Sequence, residues 1–505
     1  MAEAIKQTTV RRNGKRAVVI GSGFGGLAAA IRLGARGYDV TVLEKKSGPG
    51  GRAFTVRKNG YTFDCGPTVV TADFLFEELW QLCGRSLRDE VELRRVEPCY
   101  EIRFHDGKIF QYLDDPEGLL REVERIAPGD VEGVRGYLKM SEQIFKVGFL
   151  DLSDMPFDSV GSMLKIAPAM MRLESYRTVY GLISKFVKNE QIRQVLSFHT
   201  LLVGGNPFTT TAIYALISHV ESTWGVTYPK GGMSTLVQGM VSLVEGQGNS
   251  VRYNAEVQEI EVQGRKVTGV RLANGEVLPA DIVVSNADAA FTYKHLLPEH
   301  VRRRWTNRRI DRMRYSMSLF VWYFGTDKQY TDVKHHTILM GPRYKALLDD
   351  IFKRKVLADD FSLYLHRPTA TDPDMAPEGC DTFYVLSPVP DLDSGVDWSV
   401  EGERYRLLIQ RALQERLLPD LDQHIVESFT LTPQGFLDDL LSLKGAAFGP
   451  QPILTQSAYF RPHNKSEDVE GLYLVGAGTH PGAGLPGVLS SAKVLERVLP
   501  DVGHA

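Results

Sequence analysis

Ala17-Val18-Val19-Ile20-Gly21-Ser22-Gly23-Phe24-Gly25-Gly26 is the stretch on which the fold turns. Its first four residues are apolar and mostly β-branched, the form of a strand buried on both faces of a parallel sheet. After the glycines, Leu27, Ala30 and Ile31 repeat at helical spacing, and Gly37 closes the helix. Val40-Thr41-Val42-Leu43-Glu44 reads as a second strand. In this strand–turn–helix–strand frame each glycine has a task. Gly21 permits the tight turn, Gly23 lets the backbone approach a pyrophosphate, and Gly26 lets helix and strand pack closely. The helix N-terminus, with Gly25 in its first turn, offers unpaired N–H groups and a positive dipole end to phosphates. Glu44 ends the second strand, where a carboxylate accepts from ribose hydroxyls and disfavours the 2′-phosphate of NADP.

The chain around this stretch has 505 residues, more than one core usually organises, so two or three domains are expected. With 43% apolar and 24% charged residues it has the composition of a soluble globular protein. Its net charge of −3 gives no reason to expect nucleic acid. Cys65, Cys83, Cys99 and Cys380 follow neither a metal-ligand spacing nor a dense disulfide pattern, which fits a reducing compartment. Met1 to Arg16 is polar and basic, without the apolar centre of a secretory signal, and reads as a frayed tail. Ser197 to Val220 and Gly471 to Ala492 lack formal charges, but glycine, proline and threonine interrupt them too often for spanning helices.

A dinucleotide fold of this kind holds NAD or FAD, and two further motifs decide for FAD. Gly48-Pro49-Gly50-Gly51-Arg52-Ala53 follows Glu44 after one short loop, with adjacent glycines for close backbone approach and a planar donor fork for phosphate. Far downstream, Leu472-Tyr473-Leu474-Val475-Gly476 reads as another buried strand. The glycine-rich run Ala477 to Val488 follows it, and a helix is expected over Leu489 to Leu499. This second strand–loop–helix unit supplies a second helix N-terminus for the pyrophosphate or the flavin C2 carbonyl. An NAD domain has no use for such a returning segment.

The pattern from Gly21 to Arg52 resembles the paired fingerprints of the flavin amine oxidase and carotenoid desaturase superfamily. The run Tyr473 to Val488 closely resembles the signature of bacterial-type carotenoid desaturases, the phytoene desaturases foremost. Phe198 to Phe208, Tyr228-Pro229-Lys230-Gly231-Gly232, Ser285-Asn286-Ala287-Asp288 and Gln456 to Asn464 are similar as well, so the resemblance spans nearly the whole chain. It implies an α/β fold: a discontinuous Rossmann-like FAD-binding domain over 14–80, 225–290 and 465–505. Into it would be inserted a helical, membrane-associated region over 81–224 and a mixed sheet-and-helix substrate domain over 291–464.

The cofactor-binding set so implied is Gly21, Gly23, Gly25, Gly26, Glu44, Lys45, Gly51, Arg52, Gly66, Pro67, Thr68, Val257, Gly478, Gly487 and Val488. Gly66-Pro67-Thr68 would lie near the isoalloxazine ring, and Val257 would meet the adenine through its backbone. The implied activity is hydride transfer from a long isoprenoid polyene, phytoene, to FAD, giving neurosporene, lycopene or a related carotene. The flavin would be reoxidised by oxygen or a membrane quinone, and the protein would sit at the cytoplasmic face of the inner membrane. No nucleophile triad or metal cluster is seen, and hydride transfer to a flavin needs neither. A desaturase for hydroxylated or C30 carotenoids, a carotene isomerase, a retinol saturase, an amine oxidase and a prenyl-binding module like the GDP-dissociation inhibitors are the alternatives.

In the middle of the chain, Val251 to Asn254, Val257 to Val262 and Lys266 to Leu272 read as short strands, Asn274-Gly275 as a hairpin turn, and Ile282-Val283-Val284 as a strand returning to the first sheet. Met317 to Phe324 and Phe383 to Val385 suit either a hydrocarbon-lining wall or an ordinary core. His199 and His219 read as core histidines, and His480 as packing for its glycine loop; no proton acceptor stands out. The arginines from Arg302 to Arg314 suit a solvated helix face, or attraction to anionic lipid. The apolar, cation-flanked run Met163 to Arg172, followed by Tyr176 and Tyr180, suits a segment lying in a membrane interface, or a buried hairpin.

Overall fold

The computed structural model describes residues 13–500, so most of the expected N-terminal tail and residues 501–505 lie outside the described residues. Arg16–Ile20 forms the centre of a five-stranded parallel sheet. Asp39–Leu43 and then Ser250–Arg252 lie on one side of it, Ile282–Ser285 and then Leu472–Leu474 on the other. Segments from opposite ends of the chain thus share one sheet, because 282–285 lies between the first strand and the last and pairs with both.

Both faces of this sheet are covered, which is why its strands are apolar without alternation. On one face Val19, Val40, Val42 and Val284 pack against helices Phe24–Ala35, Met233–Gly246 and Leu485–Val498. On the other, Val18, Ile20, Val283 and Leu474 meet Ile260, Val267 and Val270 of a three-stranded antiparallel sheet, Val257–Gln263, Lys266–Leu272 and Val277–Pro279. The expected strands, the turn at Gly275 and the return of 282–284 are all present.

A seven-stranded sheet makes the second body of the fold, in the order Ile425–Leu431, Ser318–Thr326, Asp381–Val389, Leu363–His366, His336–Leu339, Tyr100–Arg103, Ile109–Tyr112. Its last two strands correct the helical expectation for 81–224. Leu93–Arg95, Tyr100–Arg103 and Ile109–Tyr112 are strands of three or four residues, and Glu101 and Arg103 interrupt any apolar run that would have marked them. Apart from the short helix Leu87–Glu90, the helices of this region run from Pro116–Ile126 onward. Alternation on the two nine-residue strands, Ser318–Thr326 and Asp381–Val389, splits the sheet into two environments. Phe320, Trp322, Phe324, Phe383 and Val385 form a core beneath the helix Trp398–Arg416. Leu319, Val321, Tyr323 and Tyr384 point the other way, into a cavity.

The arginine cluster is anchored. Asp468 accepts from the backbone N–H groups of Arg303, Arg304 and Trp305, Arg304 pairs with Glu467, and the Arg309 guanidinium lies over the Trp305 ring at 4.1 Å. His199 is buried, as expected, and His219 is half-buried against Phe145 and Trp224.

Candidate functional site

The turn after the first strand brings Gly21 and Gly23 under the helix Phe24–Ala35, and its tight geometry is visible at Gly26. A Cβ on Gly26 would stand 2.0 Å from the Gly21 carbonyl oxygen, so only glycine lets this helix close on its strand. The start of the helix has no side-chain cap and no acid in its first turn, which leaves its N–H groups free to meet an anion. The helix Leu485–Val498 starts in the same way, uncapped and without an acidic first turn. The two bare N-termini open on one cavity of about 790 Å³.

Glu44 is buried at the end of its strand. Its carboxylate accepts from the Ser22 N–H at 2.9 Å, the Ser22 hydroxyl at 2.8 Å and the Lys46 N–H at 3.0 Å. Those bonds fix the carboxylate at the cavity wall. Arg52 donates to the Ser442 hydroxyl at 2.6 Å and feels the charge of Asp288. Desolvation pulls the guanidinium below its ordinary value, and pushes the Asp288 carboxyl above its own, with Arg52 opposing that rise. Asp288 also caps the short helix that follows, accepting from Ala290 and Phe291. Asn286 stands between the glycine loops, within 2.9 Å of where a Cβ on Gly23 would be and 2.7 Å of one on Gly476.

Of the expected cofactor-binding residues, Gly21, Gly23, Gly25, Glu44, Lys45, Gly51, Arg52, Gly66, Pro67, Thr68, Val257, Gly478, Gly487 and Val488 line this cavity. Gly26 does not; its place is behind the wall, for the packing reason given above. Two bare helix starts, a fixed buried carboxylate and an arginine fork on one glycine-lined wall fit FAD. Glu44 would face the ribose, the N-termini and Arg52 the phosphates, and Thr68 the ring. Sequence reading assigned no role to Asn286 or Asp288, although it marked their run.

Beyond Thr68 the cavity becomes an apolar arm. The Thr68 hydroxyl shares a 2.7 Å hydrogen bond with that of Tyr384 and lies 3.3 Å from that of Tyr364. The Tyr364 hydroxyl in turn lies 2.7 Å from His336 Nδ1. Leu319, Val321 and Leu386 of the sheet, with Met317 just before its strand, form one wall, and Phe448 and Leu201 others. His335, His336 and His366 cluster behind this wall with their nitrogens within 4.8 Å of one another. Burial holds all three well below the ordinary imidazole range, His335 at about 3, so they stay neutral. His480 faces the cavity from its glycine loop, packed edge-on against Phe157; burial lowers it to about 4.

The helix Val160–Arg172 closes the arm. Met163, Ile166, Ala167, Met170 and Met171 line the cavity from it, while Leu164 is 70% exposed and Met171, at the cavity's rim, 62% exposed. Tyr176, just beyond, is 54% exposed. The segment is therefore no buried hairpin. No helix among the described residues is long and apolar enough to cross a membrane.

Residues 24–494 match the family of flavin containing amine oxidoreductases. The chain is 49% identical over 492 residues to a neurosporene-forming phytoene desaturase of Rhodobacter capsulatus, a match that covers 96% of this chain and 94% of that protein. It is 47% identical over 493 residues to a lycopene-forming phytoene desaturase of a Paracoccus species, covering 97% and 98%. Among solved structures, an oxidoreductase from Methanosarcina mazei superposes with a TM-score of 0.64 at 17% identity, covering 95% of this chain and all of that one, which is likeness of fold.

Proposed function

Because the chain belongs to the flavin containing amine oxidoreductase family and groups within it with bacterial-type phytoene desaturases, we propose that it is an FAD-dependent desaturase that introduces double bonds into phytoene. The observation that carries this reading is the continuity of the cavity. One end is glycine-lined and fitted to a dinucleotide, and the other is an apolar arm walled by aliphatic and aromatic side chains. Bound in the first end, FAD supplies the hydride acceptor. The protein's own part is to lay the reacting carbon–carbon bond beside Thr68, with Tyr364 and Tyr384 behind that threonine, and to exclude water.

We read Gly21, Gly23, Gly25, Glu44, Lys45, Gly51, Arg52, Gly66, Pro67, Thr68, Val257, Gly478, Gly487 and Val488 as the FAD contacts. The division into a discontinuous FAD domain over 14–80, 225–290 and 465–505, a substrate and membrane-associated region over 81–224 and a substrate domain over 291–464 goes with that reading. The helix Val160–Arg172 is the proposed doorway at the cytoplasmic face of the inner membrane, supported by its apolar outer residues above the arm. A long hydrocarbon resides in the bilayer, and this route spares it a passage through water. Reoxidation by oxygen or by a membrane quinone is chemically open to such a protein.

Co-expression with phytoene in a membrane-bearing host, followed by pigment extraction, tests the reading. Coloured polyenes are expected, and their absorption maxima count the double bonds added. Unchanged phytoene beside a flavin-loaded protein would overturn it. Reoxidation of the reduced protein under anaerobic conditions with a soluble quinone, against oxygenated buffer without it, separates the two electron acceptors.

A further inference from the structure

Between Glu299 and Arg314 seven arginines stand with only two carboxylates, Glu299 and Asp311, in a chain whose net charge is −3. The fold uses three of the seven. Arg302 donates to Asn307 Oδ1 at 2.7 Å, Arg304 pairs with Glu467, and Arg309 lies over the Trp305 ring. Arg303, Arg308, Arg312 and Arg314 are exposed, and none of the four pairs with a carboxylate among the described residues. The two local acids are engaged elsewhere, Asp311 with Lys294 at 2.7 Å and Glu299 with Asn307. Water solvates an exposed cation well, so the charge alone decides nothing. What the arginines surround is the second observation.

The segment from Leu454 to Phe460 is tied to this cluster at both ends. Gln456 accepts from the Arg314 N–H and donates to the Arg314 carbonyl, each at 2.8 Å. The Arg304 guanidinium lies 5.1 Å over the Tyr459 ring, and the Phe460 ring packs edge-on to that ring at 5.7 Å. At both ends the segment turns apolar side chains to solvent, Leu454 at 52% exposure and Phe460 at 44%. It also borders the cavity, which Leu454, Ser457 and Ala458 line. Unpaired cations, exposed apolar side chains and the rim of an apolar cavity thus share one face. Water or an acidic protein suits the cations and does nothing for the rest. A bilayer with anionic headgroups suits all three, since phosphates meet the arginines, acyl chains take up the apolar side chains, and the cavity borders the source of a hydrocarbon.

We infer that Arg303, Arg308, Arg312 and Arg314, with Leu454 and Phe460 beside them, form a docking face for anionic lipid headgroups, distinct from the helix Val160–Arg172; this rests on the proposed desaturase reading. The two contacts differ in what they recognise. The helix presents Leu164 and Met171 with only Lys165 and Arg172 for charge, so it serves a bilayer of any headgroup through its apolar side chains. The arginine face adds a preference for negative charge, about fivefold in affinity for each arginine near the surface and roughly 100- to 1,000-fold for the four together. That part of the attraction is screened by salt, and the apolar part is not. Because both contacts border the one cavity, docking through both holds its rim against the bilayer.

The test floats the flavin-loaded full chain, without phytoene, on vesicles of phosphatidylcholine alone or mixed with phosphatidylglycerol. The wild type should bind the mixed vesicles at least ~100-fold more tightly, and raised salt should erase the difference. The quadruple variant Arg303→Gln, Arg308→Gln, Arg312→Gln, Arg314→Gln should keep flavin absorbance and thermal midpoint and bind both vesicles alike. Phe460→Ser should weaken binding to both by about 10-fold. Equal binding of the wild type to the two vesicles, or an undiminished preference in the quadruple variant, would overturn the docking face. So would tight binding to soluble polyglutamate with none to mixed vesicles, which would assign the arginines to an acidic polypeptide. Should the quadruple variant lose its flavin, the pair Arg312→Gln, Arg314→Gln decides, with at least ~10-fold weaker binding to mixed vesicles expected. Phytoene conversion is measured separately. A chain that prefers anionic vesicles and leaves phytoene unchanged sinks the desaturase reading, and one that converts phytoene without that preference sinks the docking face alone.

Discussion

Glu44 and Gly26 serve the same glycine loop by different physics, and their variants should fail differently. Glu44 contributes a fixed charge: three protein donors already aim it, so a ribose meets an acceptor that needs no further ordering. In Glu44→Ala the loss of charge-assisted hydrogen bonds should weaken FAD by about 10- to 100-fold, from roughly 1.5–3 kcal/mol. Flavin retention through gel filtration at falling protein concentration checks this, and unaltered retention would contradict the ribose role. Gly26 contributes only the absence of a side chain. With a Cβ arriving 2.0 Å from the Gly21 oxygen, Gly26→Ala must push helix from strand. It should lower stability by about 2–3 kcal/mol, within the usual range for overpacking, in a denaturant titration of the flavin-free protein as well. Both roles were legible in the sequence, because the motif fixes them through local geometry. The buried meeting of Glu221 with Tyr100 and His199 was not, because these residues come from distant stretches and no spacing announces a contact arranged by tertiary packing.

Among the elements, the paired strands Ser318–Thr326 and Asp381–Val389 show how far periodicity reaches. Alternation told that each strand has two apolar faces, but not which would meet a helix and which an empty arm. That depends on where the helix Trp398–Arg416 lies, and strand periodicity carries no such information. The distinction is testable. Trp322→Ala, on the core face, should cost about 3–5 kcal/mol in unfolding free energy. Leu386→Trp, on the cavity face, should leave the unfolding midpoint nearly unchanged while shifting the product mixture toward fewer double bonds. The helix Val160–Arg172 gives the complementary case: its cation-flanked apolar composition suited an interfacial segment or a buried hairpin alike, and the exposure of Leu164 and Met171 rules out the hairpin. Replacing Leu164 and Met171 together by Asp should abolish sedimentation with anionic vesicles and leave flavin absorbance unchanged. Co-sedimentation equal to wild type would count against the doorway. The strands at 100–103 and 109–112 went unread for a simpler reason: four residues with interspersed charge look like a loop until a sheet edge pairs them.

At the scale of the whole molecule, three buried neutral histidines and the half-buried His480 set how the fold responds to acid. His335, at about 3, and His480, at about 4, join His336 and His366, which burial also holds well below the ordinary range. In the unfolded chain each binds a proton near pH 6.5, whereas the folded chain keeps them neutral far below that. The unfolded state therefore takes up more protons on acidification. Stability is complete above about pH 6.5 and falls as the pH drops toward 4, by about 2 kcal/mol at pH 5 for each histidine that titrates independently. The urea midpoint of the flavin-free protein should drop clearly between pH 7 and 5, and a flat profile would refute the neutral cluster.

The two bare helix starts have a consequence in time as well as in space. One follows residue 23 and the other residue 484, and they meet only through strands that join the sheet from both ends of the chain. A ribosome that has made the first fingerprint has made half a cradle, and every residue up to the second must emerge before the dinucleotide has anywhere complete to rest. Cofactor capture is thereby a post-synthetic event that reports on the integrity of the whole polypeptide. A chain cut short before residue 472 would be marked by the colour it never acquires.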